Sequence, residues 1–462
     1  MRTSIKLLTA AVMGTACCGS ALAYGPAIAP DFTFYVGSGS AQGAAIAAFA
    51  QSLMQADGNL DYYTDDATSC KKGANYYAIY GTWKTTQGGI AAGKKVLIMA
   101  ANNGGTFKNG IDGVARSHAI DYQTFLGNAT NTGCAAPGGG LPAPYTGLAN
   151  YKVITAATKE NHIPMVGLSD EEMGLFVGIN LPTSAPNTPL SAADFNNTQR
   201  TALYENVFGV AINNLLAADM TAKWGNNNIS DAQVTAIYSG TYSDYSQLCQ
   251  EQGNPPVEKC LTAGPITLQS RAPGSGSKAA WNQYFLDNPG MTYFIPSTQG
   301  GTGNSLTPVD QNGSFGDCTA YSSASYNVCQ QSSNGNVQKG LNTANTNGTR
   351  AFGLLGLEFQ PGAGDTYGFA ALNGAVIDGT TTKTCGNAIA DAFEPARVVN
   401  GEHRLYYTNS LNIRIKSVGG APFLGDGSTA SDFMTAFKTA ASNPVLQVSV
   451  PGVLLDPSVT TV

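Results

Sequence analysis

A three-part unit recurs along this chain and leaves few folds open to it: a short apolar run, a cluster of small polar residues and glycine, then a segment with helical spacing. "FTFYV" (Phe32 to Val36) runs through "GSGSAQG" into "AAIAAFAQSLM", and "KKVLIMAA" (Lys94 to Ala101) runs through "NNGGTFKNG" into "IDGVAR". "IPMVGLSDEE" (Ile163 to Glu172), "ENVFGVAINNLLAADM" (Glu205 to Met220) and "LQSRAPGSGSKAAWNQYFLDN" (Leu268 to Asn288) contain the same pieces. Short apolar strands alternating with helices predict an α/β fold with parallel strands rather than an all-β sandwich. Ligands in such sheets sit at the carboxyl ends of strands, where these small-residue turns fall. At 462 residues the chain exceeds what one core usually serves, so two domains are expected.

The N-terminus carries a different signal. Arg2 and Lys6 precede an apolar run from Leu7 to Ala16, closed by Ala21-Leu22-Ala23, which reads as an export signal over residues 1–23. That run is too short to span a bilayer, and no later uncharged stretch of about 18 or more residues is one that could span it, so a periplasmic or secreted chain starting at Tyr24 is expected. Seven of the nine cysteines lie beyond the signal, and the close pairs Cys249/Cys260 and Cys318/Cys329 look like disulfide staples in loops. There is no CxxC, and His118, His162 and His403 are far apart, so neither a metal nor a cofactor is expected. His162 reads as a strand-edge or core residue. The net charge of −6, or −8 once Arg2 and Lys6 are removed, with no basic cluster, argues against nucleic acid as a partner.

Two stretches interrupt the pattern. Ala56 to Trp83 is a tyrosine-rich polar excursion whose Tyr62, Tyr63, Tyr76 and Tyr77 could stack on a sugar ring or pack on one another in a loop. Residues 297–349 are nearly free of aliphatic side chains and read as a functional or stapled surface insertion.

The loop from Arg271 to Ser277 carries the clearest chemistry. Backbone N–H groups at a helix start lack partners and favour negative charge; glycine permits close approach, serine adds hydroxyls, and arginine offers parallel donors. The stretch reads as an anion cradle, although a strand-to-helix turn with capping serines would look the same. Known alternatives fail on spacing: the lysine follows the serine (Gly276-Ser277-Lys278), unlike a P-loop, and Lys278 reads as solvent-facing. Gly37, Gly39 and Gly43 miss the dinucleotide fingerprint at Gln42, and no G-x-S-x-G occurs.

Order adds to this. Gly37-Ser38-Gly39-Ser40, a Gly-rich turn around Thr106, Ser169-Asp170, and Arg271 to Ser277 each follow an apolar strand. This succession resembles the high-affinity, PstS-like phosphate-binding receptors of ABC transporters, as do "ISDAQVTAIYSGTYSDYSQL" (Ile229 to Leu248) and "RAFGLLGLEF" (Arg350 to Phe359). The resemblance implies a two-lobed type II periplasmic binding protein, with two chain crossovers and a cleft closing by a hinge motion. One lobe would be residues 24–208 and 405–462; the other, residues 209–404. It implies ligand contacts from Ser38, Gly39, Ser40, Ala41, Thr106 and Asp170 on the first lobe, and from Arg271, Ser275, Gly276 and Ser277 on the second. It further implies a monomer binding inorganic phosphate or a related protonated oxyanion, with an ABC permease as partner and no catalysis. Two departures stand out: Ala41-Gln42-Gly43 replaces the family's Thr-Phe-Pro, and Pro273 replaces its aspartate two residues after the arginine.

Asp170 discriminates between ligands. A carboxylate beside an oxyanion repels it unless a proton lies between them, which hydrogen phosphate supplies and sulfate does not. "SDEEM" would also suit a helix cap. Two other roles are open on the same residues: a secreted scavenging or surface-interaction protein, and a phosphatase, for which no nucleophile with an adjacent base is evident.

Overall fold

The computed structural model describes residues 29–56, 60–65, 75–124, 131–133, 150–154, 158–288, 326–362, 364–375, 398, 401, 403–447 and 453–455. The export signal, residues 297–325 of the polar stretch, and Cys70, Cys134, Cys318 and Cys385 lie outside the described residues.

The first strands are β1 (Phe32–Ser38), β2 (Asp61–Thr64), β3 (Tyr76–Thr82), β4 (Lys95–Ala101), β5 (Ile120–Gln123), β6 (Asn131–Gly133), β7 (Asn150–Ile154), β8 (Lys159–His162) and β9 (Val166–Ser169). Then come β10 (Thr198–Asn213), β11 (Asn228–Ile229), β12 (Cys249–Gln252), β13 (Val257–Cys260), β14 (Thr267–Arg271) and β15 (Asn327–Gln331). The last are β16 (Phe352–Gly356), β17 (Tyr367–Phe369), β18 (Ala371–Leu372), β19 (Tyr406–Arg414) and β20 (Val453–Leu455). The main sheet runs β15-β14-β16-β10-β19-β9-β1-β4-β3-β2-β7-β6, with β17 and β20 also on β10. The α/β class is as expected, but the sheet is mixed. β1 is parallel to β4 and β9, and β14 to β15 and β16, whereas β10 and β19 are antiparallel to each other and to the strands beside them, β16 and β9.

β1 and β4 read as unbroken apolar runs because both faces are covered. On one face Phe34, Val36, Val96 and Ile98 pack beneath helices Gly43–Ser52 and Thr429–Ala441, where Phe34 stacks on Phe433 with centroids 4.3 Å apart. On the other face Leu97 and Met99 meet Tyr63, Tyr76, Tyr80 and Tyr122. The described part of the tyrosine-rich excursion is therefore mostly sheet: Tyr62, Tyr63, Tyr76 and Tyr77 are all buried on β2 and β3, and a sugar ring has no access to them. Their aromatic rings suit a pleated, buried surface.

β10 is 16 residues long and serves two cores. Leu203 and Tyr204 belong to the core around β1, while Phe208, Val210 and Ile212 join a second core with helices Asn214–Trp224, Asp231–Tyr238 and Gly276–Leu286. The end of the polar stretch is also internal. β15 pairs in parallel with β14, and helix Asn334–Thr346 buries Val337, Leu341 and Ala344, so a surface insertion does not extend through residues 327–346.

Cys249 and Cys260 face each other across the β12–β13 hairpin and form a disulfide; Cys329 is disulfide-bonded as well. His162 lies on β8, stacked on Tyr35 at 3.9 Å. No described helix is long and apolar enough to cross a membrane.

Glycines set how closely one segment approaches the sheet. The π-helical turn Thr106–Asp112 lies directly on β1 and β9, backbone against backbone. A Cβ at Gly110 would stand 2.1 Å from the Leu168 carbonyl oxygen, and one at Gly167 would stand 2.1 Å from that of Gly110. Gly110→Ala must push the turn off the sheet. The expected loss is about 1–3 kcal/mol of stability, as for other overpacked sites, read as a lowered urea midpoint at unchanged slope.

Candidate anion-binding site

The parallel strands β1, β9, β14 and β15 end at one place, and β4 delivers its following turn there too. Ser38 closes β1, Arg271 closes β14, and Asp170 follows β9. Helix Gly276–Leu286 starts here, with Ser275 as its cap accepting from the Lys278 N–H at 3.5 Å. Helix Asn334–Thr346 starts here as well, with Ser333 accepting from the Asn336 N–H at 3.1 Å.

Contacts link these segments into a ring. A Cβ at Gly39 would lie 2.1 Å from Thr106 Oγ1, so the first loop rests on that hydroxyl. Thr106 Oγ1 donates to Asp170 Oδ1 at 2.5 Å. A Cβ at Gly276 would lie 1.8 Å from the same Asp170 oxygen, and the Ser277 backbone N–H donates to that carboxylate. Ser277 Oγ donates to Asn334 Oδ1 at 3.3 Å, and the Asn334 N–H donates to Ser40 Oγ at 3.4 Å, which returns to the first loop. Beside the ring, the Phe107 N–H donates to the Gly274 carbonyl at 3.0 Å. Ser38 Oγ donates to Asn102 Oδ1 at 2.6 Å. Ala41 is buried in a short 3-10 turn, Ser40–Gln42, ahead of helix Gly43–Ser52. Every residue singled out from the sequence for this site is thus buried in one neighbourhood.

Arg271 is 2% exposed, and its guanidinium is held by uncharged oxygens. Nε donates to the Gln331 carbonyl at 3.3 Å, Nη2 to the Ser332 carbonyl at 3.3 Å, and Nη1 to Asn334 Oδ1 and, at 3.5 Å, to Ser277 Oγ. Pro273, two residues on, has no side-chain acceptor to offer the guanidinium. Burial pushes Arg271 down to about 10, against the charges of Asp170 and Glu358, so it remains a cation at neutral pH. Asn334 Nδ2 also donates to Glu358 Oε1 at 3.3 Å.

Asp170 shifts the other way. Burial raises it, opposed by the Thr106 hydroxyl, backbone donors including Ser277, and the Arg271 charge. It is not a helix cap: the 3-10 turn that follows, Met173–Leu175, starts after Glu172 and has no side-chain cap. Lys278 differs from expectation, being fully buried in the first turn of its helix rather than facing solvent.

Sequence pattern does not single out Asn334, Gln331 or Ser332, although all three hold the arginine. The signal for Asn334 was a serine cap followed by Val337, Leu341 and Ala344 at helical spacing. Among the described residues, the grouping with metal-ligand spacing is Cys249, Glu258 and Cys260, whose two thiols are joined as the disulfide.

No protein-family model matches the chain, and no curated protein does. Among solved structures it is similar to a candidate phosphate ABC transporter substrate-binding protein of Clostridium perfringens with bound phosphate, at 10% identity and TM-score 0.44, covering 92% of this chain and 100% of that one. It is similar to a candidate phosphate-binding protein of Planctomyces limnophilus, at 11% identity and TM-score 0.36, covering 93% and 95%. An ABC-type phosphate transport receptor of Vibrio cholerae matches at 10% identity and TM-score 0.32, covering 64% and 81%.

Thr106→Val removes the hydroxyl that Asp170 accepts from. The native state should lose about 1.5–3 kcal/mol at neutral pH, as for a hydrogen bond to a charged group. The loss should shrink as pH falls and Asp170 takes up a proton, which urea denaturation at several pH values would read.

Proposed function

We propose that this chain is an extracytoplasmic binding protein that captures a protonated oxyanion, phosphate by preference, for delivery to an ABC permease. The observation that carries the reading is Arg271: a buried cation whose hydrogen-bond acceptors are all uncharged, at the carboxyl ends of parallel strands, beside the starts of two helices. Asp170 and Glu358 act on the guanidinium as nearby charges without bonding it, so an oxyanion would be its directly bonded anionic partner, and helix N-termini favour one further. Ser38, Gly39, Ser40, Ala41 and Thr106 would line it from one lobe, and Ser275, Gly276 and Ser277 from the other. β10 and β19, which connect the two cores, would form the crossover between lobes of residues 24–208 with 405–462 and residues 209–404. The Cys249–Cys260 disulfide fits an oxidising compartment outside the cytoplasm.

Asp170 sets the selectivity. Ionised, it accepts a proton from hydrogen phosphate; sulfate has none to offer and is repelled. As pH falls through the raised Asp170 value, the carboxyl protonates, this acceptor is lost, and preference for phosphate over sulfate should fade.

Calorimetric titration with phosphate and with sulfate tests the reading. Phosphate should bind and sulfate bind at least tenfold more weakly. Arg271→Ala should weaken phosphate by about 2–5 kcal/mol, the usual cost of truncating one partner of a buried charge pair. Unchanged phosphate affinity in Arg271→Ala would remove the arginine from the site. Asp170→Asn should narrow the gap between the two anions.

A further inference from the structure

Immediately after Asp170 the chain buries a second carboxyl. Glu171 is 0% exposed, and neither Oε1 nor Oε2 has a hydrogen-bond partner. Its position is fixed by a tight local turn, in which Ser169 Oγ donates to the Glu171 carbonyl at 2.5 Å and the Glu171 N–H donates back to Ser169 Oγ at 3.2 Å. The titratable and charged groups facing it are Asp170 and Glu172 on its own loop, Arg200 and Glu205 on β10, and Tyr407 on β19.

Three of those groups are carboxylates. The cation among them, Arg200, is already paired with Glu172, and Tyr407 donates its hydroxyl to the Ala280 carbonyl at 2.9 Å. Glu205 Oε1 accepts from Thr408 Oγ1 at 2.9 Å. An ionised Glu171 would therefore give up its water, gain no donor and face like charge. Burial first, and then the Asp170 charge, push its carboxyl well above the usual range.

We propose that Glu171 holds a proton beside the anion site, and that retention of that proton is coupled to capture of the oxyanion. This rests on the functional reading above. Two adjacent carboxyls then take opposite states, Asp170 ionised to accept a proton from the ligand and Glu171 neutral so that no second negative charge stands beside it. Reciprocity follows from linkage: a bound anion tightens the hold of Glu171 on its proton, and loss of the proton loosens the anion by the same factor.

The test compares the full protein with Glu171→Gln, which keeps the shape of the neutral acid and cannot ionise. Phosphate affinity is measured by calorimetry from pH 6 to pH 9; ionisation of phosphate itself affects both proteins alike and cancels in their ratio. The two should bind equally at the acid end, and the parent should be weaker by about tenfold or more at the alkaline end, one unit of coupled shift being tenfold. A ratio that stays constant across the range overturns the coupling.

Ligand-free melting supplies an independent arm. A carboxyl raised in the native state contributes stability below its unfolded value and loses it as pH rises through the native one. The melting temperature of the parent should thus fall with rising pH relative to Glu171→Gln; parallel curves would show that Glu171 does not hold the proton. Absence of phosphate binding in both proteins would overturn the functional reading and the coupling with it, while the melting curves would still decide where the proton sits.

Discussion

The guanidinium of Arg271 organises much of this molecule. Removing a cation from water is costly, and here the cost is offset by oxygens that carry no net charge. Those oxygens come from the end of β15, from the first residue of the helix after it, and from Ser277. β14, β15 and two helix starts must therefore keep their relative register, because a shift of a few ångströms would leave the charge buried without acceptors. Asp170 stands opposite, tied to Thr106 and to the Ser277 N–H, and bridges the two sides of the site.

Much of this was legible in the sequence, for a definite reason. β1 and β4 are covered on both sides, so they appear as short apolar runs, and the turns after them carry glycine because backbone there must come close to other backbone. Local signals mark the loops holding Ser38, Thr106, Asp170 and Arg271 as turns after strands, while their grouping as one site rests on the resemblance in their order.

The parts that were not legible are those whose polar composition hides an internal role. β15, "NVCQQ", buries Cys329 and Gln331, and the helix after it buries Asn334 and Gly340 beside three aliphatic or alanine side chains. Hydrophobic periodicity barely registers such elements, since hydrogen bonding rather than apolar area justifies their burial. β2 and β3 hid differently: their tyrosines lie among aspartates, lysines and glycines that suggest a loop. Lys278 was misplaced because burial of one cation depends on what the rest of the chain lays over it, and a neighbouring-residue pattern holds no such information.

The register shift in β10 lies where the strand passes between its two cores. Between Ala202 and Glu205 the pairing with β19 slips, and the residues in the slip, Leu203 and Tyr204, are buried in the core around β1. The Tyr204 hydroxyl donates to Gln42 Oε1 at 2.7 Å, at the end of the loop that carries Ser38 to Ala41. Tyr204 thus anchors the slip to the turn after β1, and the irregularity of the long strand and the position of that turn are set by one hydrogen bond.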